Sequence, residues 1–482
     1  MKVLLINPVS NIKNHVLPLG LASIAAFLEK HHIDVIVIDA WALNMSFVDL
    51  EQQIAILAPD IIGITIMSPR FNQAKLTAQG ARRAAPTSLI VLGGPHPSAM
   101  PKETLEEIPE ADVCVLGEGE ITFLEIVKVI QIHGDFDKVN GISFRDNYSN
   151  IMVTKPALFI DNLDTLPYPA RHLFPIDKYK THPPYGIKTP YMSMITSRGC
   201  PYKCAYCSKE VFGDRLRMQS PKRVVDEMEF IMKKYGVKEI HFYDDDFTIS
   251  MKRVDEICDE ILNRQIRVLW SCTTRVDLVN KELLGKMKKA GCWLISYGVE
   301  SGNQKILNTI RKGIEIETVK EAFKITKQAG IKTLGFFMVG LPGETEDTIE
   351  ESIAFSLELD PDFVGWGVLI VFPGSPFYRM LEKGNFGGFE RIRNISDNDY
   401  AYHLVFEDNL TIEQLKQAVL IADKKFYLRL KYIFKRLIDI KSFSQLNHHI
   451  RGGIDVLKSA MNLGVVMGMS EVVEILARDY LL

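Results

Sequence analysis

Cysteine is scarce in this chain, and it is distributed in a way that excludes a disulfide scaffold. Only seven cysteines occur in 482 residues. Cys114, Cys258, Cys272 and Cys292 stand alone, whereas Cys200, Cys204 and Cys207 fall within one short run. Small secreted domains use dense, regularly spaced cysteines, so this usage points to a reducing compartment and a cytoplasmic protein. Long apolar runs are missing too: none reaches the roughly 20 residues that a membrane span needs. The opening Met1–Pro8 run mimics a signal peptide only briefly, and Asn7-Pro8 breaks it, so it reads as a first β-strand. Charge of one sign is not in excess. A net charge of −3 gives no global attraction to nucleic acid, and no nucleic-acid partner is expected. Short repeats and low-complexity tracts are also lacking. The remaining composition is that of an ordinary globular protein, long enough for about three domain-sized units.

Hydrophobic periodicity divides the chain. Up to residue 140, short β-branched runs (Val3–Ile6, Val35–Ile38, Ile61–Ile66, Leu89–Leu92 and Val113–Leu116) alternate with helix-period segments. Such an alternation predicts a doubly wound, Rossmann-like parallel sheet with ligands beyond the carboxyl ends of its strands. Residues 141–189 read as a β-hairpin, Gly141–Arg145 and Ile151–Thr154, followed by a proline-rich linker wrapped on a surface. A second β/α series occupies residues 190–384, with six strand candidates beginning at Met192, Glu239, Val268, Leu294, Thr333 and Val364. Six repeats predict a partial (β/α)6 TIM barrel with its chemistry at the carboxyl ends of the strands. Residues 385–482 read as a helical C-terminal domain.

The run Ser197-Arg-Gly-Cys-Pro-Tyr-Lys-Cys-Ala-Tyr-Cys-Ser208 is a C-x3-C-x2-C triplet just after the first strand of the second series. Three thiolates on one loop can hold three irons of a [4Fe–4S] cluster and leave the fourth open to a non-protein ligand. Zinc is the competing reading. It usually takes a fourth protein ligand from a second cysteine pair, and none is present.

This triplet resembles the loop of the radical S-adenosylmethionine (SAM) superfamily, and the loops that follow match in order. The resemblance implies that Cys200, Cys204 and Cys207 ligate the cluster and that Tyr206 lies beside the SAM adenine. Asp244 and Asp245, in Tyr243-Asp-Asp-Asp-Phe247, would meet its amino group, Arg275 its carboxylate and Glu300 its ribose hydroxyls. Blander readings accompany several of these: a surface tyrosine, an acidic helix cap at Asp246, and a surface salt bridge at Arg275. The turn Gly340-Leu-Pro-Gly-Glu-Thr345 reads as architectural.

A doubly wound domain ahead of such a barrel resembles the cobalamin-binding class of radical SAM enzymes. Its matching positions are Gly20, Gly93 with Gly94, and Gly117, Glu118 and Gly119, all at helix starts or the carboxyl ends of strands. His96 is either a loop-structural residue or a polar contact to cobalamin. The Asp-x-His-x-x-Gly motif that supplies a lower axial histidine is absent, as in much of this class. Methylthiotransferases also carry an α/β domain before the barrel, but theirs brings three cluster cysteines and this one only Cys114. No G-x-G-x-x-G follows the first strand, so a dinucleotide site lacks support.

The resemblance implies an enzyme that cleaves SAM reductively to a 5′-deoxyadenosyl radical, abstracts hydrogen from an unactivated carbon and transfers a methyl group from methylcobalamin. It also implies a small-molecule, hydrophobic substrate and a flavodoxin- or ferredoxin-type electron donor. A non-methylating cyclase of the magnesium-protoporphyrin ester type shares the architecture, and an iron–sulfur sensor or scaffold is the reading outside enzymology. Within residues 424–437, basic and apolar residues interleave at helical spacing. They read either as a helix resting on an anionic membrane surface or as one packing Phe426, Leu430, Ile433 and Leu437 on the barrel.

Overall fold

The computed structural model describes residues 1–10, 16–146, 148–179, 186–382, 392–394, 401–402 and 404–439. Seven strands form the first sheet: β1 (Lys2–Asn7), β2 (Asp34–Asp39), β3 (Ile61–Thr65), β4 (Leu89–Gly93), β5 (Val113–Val115), β6 (Ile142–Arg145) and β7 (Ile151–Val153). Their order is β2-β1-β3-β4-β5-β6-β7, with β1 to β5 parallel. Successive residues of β1 serve opposite faces: Val3 and Leu5 join one buried cluster, Leu4 and Ile6 the other. A strand covered by helices on both faces has no polar side, which explains its continuous apolar run. The chain reverses direction across the sheet at β1 and β3, the position at which doubly wound folds open a ligand crevice.

The hairpin expected within the linker instead extends this sheet. β6 pairs antiparallel with β5 and with β7. Its turn is fixed by Asp146, whose carboxylate accepts from the backbone N–H groups of Tyr148 and Asn150 at 2.9 and 2.8 Å. Nor does the linker that follows merely lie on a surface. Arg171 is fully buried, pairs with Glu227 at 2.8 Å and donates to the Ser193 carbonyl at 3.0 Å. Tyr179 donates from its hydroxyl to buried Asp39 at 2.6 Å. The linker thus bolts the two sheets together.

The second sheet is parallel and open. Its strands are β8 (Tyr191–Met194), β11 (Glu239–Phe242), β12 (Leu269–Thr274), β13 (Cys292–Glu300), β14 (Lys332–Val339) and β15 (Phe363–Val368), in the order β15-β14-β13-β12-β11-β8. Between β8 and β11 lies a two-stranded ribbon, β9 (Ser197–Arg198) with β10 (Arg217–Met218). Ile240 and Phe242 face outward into a cluster with Val224, Met228 and Ile257 of the surrounding helices. Trp293, Leu294, Leu334, Phe336 and Phe363 form a separate cluster. The helix Pro221–Tyr235 starts and stops where its sequence says it should: Ser220 accepts from the backbone of Arg223, Pro221 fills the first helical position, and Gly236 ends the helix at φ +65°.

The described C-terminal part is helical, with helices Ile412–Tyr427 and Leu430–Asp439. Of the apolar stripe expected to pack, Phe426 is buried, but Leu430 is 79% exposed and Ile433 40%. Arg429 and Lys431 pair with Asp360, and Lys435 with Asp362, so those charges are turned toward the barrel. The side chain of Leu437, the last of that stripe, lies outside the described residues. Among the described residues no helix is long and apolar enough to cross a membrane.

Candidate functional site

The cysteine loop, residues 199–216, is closed by the β9–β10 ribbon, in which Arg198 faces Arg217. Gly199 adopts φ +86°, and a Cβ there would lie 2.5 Å from the Arg215 carbonyl oxygen, so only glycine makes this turn. Asp244 anchors the entry strand. Its carboxylate accepts from Thr196 N–H at 2.8 Å, Thr196 Oγ1 at 2.9 Å and Ser197 Oγ at 2.5 Å. Lys209 donates to the Cys200 carbonyl at 2.6 Å and ties the loop back on itself. Cys200, Cys204 and Cys207 line one cleft of about 750 Å³, together with Tyr206, Asp245, Asp246, Arg275 and Lys312.

Burial pushes the Cys200 thiol up to about 12, with Asp246 adding to the effect. Cys207 is raised well above the usual thiol value by burial and by its neighbours Cys204 and Cys200. Such thiols stay protonated until a metal takes the proton's place. No three His, Cys, Asp or Glu side chains among the described residues are placed to hold a single metal ion. A cluster needs its thiolates distributed around a polyatomic cube, and an all-thiol donor set along one cleft fits that requirement.

Glu300 ends β13 at φ +69°, where the register with β14 shifts. Its carboxylate accepts from Lys312 Nζ at 2.7 Å and from the Tyr206 hydroxyl at 3.0 Å. Gly298 makes room for this pair, since a Cβ there would sit 2.6 Å from Glu300 Oε1 and 2.7 Å from Lys312 Nζ. Burial is the strongest single influence against the charge on Lys312, yet Glu300 and Cys204 together outweigh it and hold the ammonium above its ordinary value. Asp245 is pushed up to about 8, first by burial and then by Asp246 and Asp244. Asp246 rises to about 7 through burial, against the pull of Lys312 and Arg275.

Two expectations change here. Asp244 is fully engaged by Thr196 and Ser197, so it shapes the loop entry and does not face the cleft. Arg275 lines the cleft, but its fork already grips Asp277, Nε to Oδ1 at 2.9 Å and Nη2 to Oδ2 at 3.0 Å, while its guanidinium stacks 3.8 Å over Tyr202. Lys312 was not legible beforehand: Arg311-Lys312-Gly313 reads as any basic turn, and only the fold brings it to Glu300.

A second cleft, about 770 Å³, lies over the first sheet at β1, β3, β4 and β5. Its walls include Gly20, Gly93, Gly94, Gly117, Glu118 and Gly119. At Gly20 nothing lies within 4 Å of a built Cβ, and at Gly93 only Val115 does, at 3.8 Å, so bare backbone meets the opening. A broad, apolar, glycine-floored crevice fits a flat macrocycle. His96 is a correction. It is fully buried away from these walls, between Phe71 and Tyr402, with Nδ1 3.0 Å from Ser68 Oγ. Burial drops it to about 3, so it stays neutral.

Glu118 lines this groove and is also engaged by its carboxylate. Oε1 accepts from Arg198 at 2.7 Å, and Oε2 from Arg217 at 2.7 Å and from Ile160 N–H at 2.8 Å. Glu120 takes the other Arg198 nitrogen at 2.5 Å. Both carboxylates therefore join the first sheet to the neck of the cysteine loop. Pro95, Val211 and Phe212 belong to the walls of both clefts.

Comparison with known proteins agrees with this two-site layout. Residues 194–356 match the Radical SAM superfamily and residues 8–127 the B12 binding domain. The chain is 33% identical over 468 residues to the uncharacterized methyltransferase PH0819 of Pyrococcus horikoshii, covering 95% of this chain and 99% of the relative. It is 32% identical to the anaerobic magnesium-protoporphyrin IX monomethyl ester cyclase of Rubrivivax gelatinosus, covering 79% and 70%. Among solved structures, the cobalamin-dependent SAM radical enzyme OxsB with aqua-cobalamin and SAM bound shares the fold. Its TM-score is 0.73 at 19% identity, over all of this chain and 75% of OxsB.

Proposed function

The chain belongs to the cobalamin-dependent radical SAM methyltransferase family, and from that premise we propose that it methylates an unactivated carbon of a small-molecule substrate held between its two clefts. Its cofactors are a [4Fe–4S] cluster, SAM and cobalamin. When bound, cluster and SAM supply a hydrogen-abstracting radical and cobalamin supplies the methyl group. The observation that carries the reading is the shared wall of Pro95, Val211 and Phe212, which sets the two clefts side by side.

The residues divide the work. Cys200, Cys204 and Cys207 hold the cluster on a loop whose entry Asp244 anchors. Tyr206 and Lys312 line the same cleft and Glu300, buried behind them, bonds to both, a set suited to orient SAM by its hydroxyl and charged groups. Asp245 and Arg275 complete the walls, Arg275 held rigid by Asp277 and by its stack on Tyr202. Gly20, Gly93, Gly94, Gly117 and Gly119 let the corrin approach the first sheet. Catalysis here rests on positioning and on excluding water. The reaction also needs an electron donor, for which a flavodoxin- or ferredoxin-type protein is proposed. All seven cysteines are unbridged, which supports a cytoplasmic setting. Exposed Leu430 and Phe434 support contact of the C-terminal helix with a hydrophobic substrate.

The test is anaerobic reconstitution with iron, sulfide and hydroxocobalamin, followed by reduction in the presence of SAM and candidate substrates. Methylation predicts S-adenosylhomocysteine alongside 5′-deoxyadenosine, one per turnover. The second reading, a ring-forming oxidation, draws on the similarity to the Rubrivivax cyclase. It predicts 5′-deoxyadenosine without S-adenosylhomocysteine.

A further inference from the structure

We propose that the clamp of Glu118 with Arg198 and Arg217 couples the two clefts, so that each binds its own cofactor more tightly once the other is filled. The inference rests on the assignment of corrin and cluster made above.

The clamp acts at the neck of the cysteine loop, where both of its strands enter. The β9–β10 ribbon contains only two residue pairs, Arg198 with Arg217 and Ser197 with Met218. A ribbon that short is marginal without outside support. One carboxylate, Glu118, supplies it by holding both arginines, one from each strand. Glu118 is 7% exposed, Arg198 8% and Arg217 5%, so these contacts are shielded from solvent and little weakened by salt.

Glu118 and Arg198 also stand at the sites, and Arg217 braces the second strand of the ribbon. Glu118 lies between Gly117 and Gly119, and all three line the groove over the first sheet. Arg198 lines the same groove and precedes Cys200 by two residues. The Phe212 ring, 5.2 Å from the Arg198 guanidinium, forms part of both walls. A corrin resting on 117–119 fixes the backbone that carries Glu118. A cluster held by Cys200 fixes the strand that carries Arg198. Either event orders the shared contact, so the second event bears less of the ordering cost. Such a coupling is reciprocal by thermodynamic necessity.

The experiment measures hydroxocobalamin affinity by absorbance, in the full chain with and without its reconstituted iron–sulfur cluster. The cluster is expected to tighten corrin binding about fivefold or more, the lower range of measured couplings. In Glu118→Gln that ratio is expected to fall close to one. A merely structural role would weaken both affinities together and leave the ratio unchanged. Where Glu118→Gln does not fold, Arg217→Lys serves, because it keeps the charge and loses the fork that spans Glu118 and the Phe212 carbonyl. A wild-type ratio at or below one, or a ratio that survives in the variant, overturns the coupling. Failure of any corrin to bind overturns the underlying assignment instead, and the coupling with it.

Discussion

Lys312 Nζ lies 2.7 Å from Glu300 Oε1, and the Tyr206 hydroxyl is 3.0 Å from the same oxygen. Two charges that are 5 and 7% exposed are thus paired at the wall of the cysteine cleft. Removing one partner of a buried pair leaves the other uncompensated, at a cost of about 3–5 kcal/mol. Lys312→Ala is therefore expected to lower thermal stability and weaken SAM binding together. A variant that melts as the wild type does and binds SAM equally well would remove Lys312 from the site.

Cys204→Ala tests the cluster ligands directly. Loss of the iron–sulfur absorbance and of reductive SAM cleavage is expected, with far-UV circular dichroism unchanged because the thiol is not a packing element of either sheet. Full iron content and retained cleavage would show that the triplet is not the ligand set.

The groove over the first sheet can be blocked without disturbing the fold. Gly93→Val adds a side chain where only Val115 is near, so the protein is expected to fold while hydroxocobalamin affinity drops by at least about tenfold, some 1.4 kcal/mol. His96→Gln, buried away from the groove, is expected to change the melting temperature and leave that affinity within about threefold. The opposite pattern would place the corrin on the histidine.

Glu344 gives a pH signature independent of the cofactors. Burial raises it from 4.5 to about 7, while backbone N–H groups of Leu341 and Gly340 pull it back in part. A carboxyl whose folded value is raised binds more protons folded than unfolded. Its contribution is therefore present at low pH and lost as pH climbs from the ordinary carboxylate value through about 7. At about 1.4 kcal/mol per unit, the loss is on the order of 3 kcal/mol. Glu344→Gln keeps the acceptor for Leu341 and cannot ionise. It is expected to melt higher at pH 8 and to flatten the difference between pH 5 and pH 8. An unchanged difference would assign the pH dependence elsewhere.

By itself the sequence determined the local and periodic features. The buried runs of the two sheets, the glycine turns and the cysteine triplet are short-range patterns, and their spacing in the chain is their spacing in the fold. Tertiary structure decided which polar side chains face the clefts. The sequence offers Asp244 as a cofactor contact, and in the fold it anchors Thr196 and Ser197; it offers Glu118 likewise, and Glu118 clamps the two arginines of the β9–β10 ribbon. Lys312 went unread, although it stands beside Glu300. A carboxylate's partner is chosen by whichever donors the packed chain brings within about 3 Å, and those donors lay 12 to 99 residues away. Local spacing carries no record of such distances, so the cofactor loops could be located from the residues alone, but the contacts that hold them together could not.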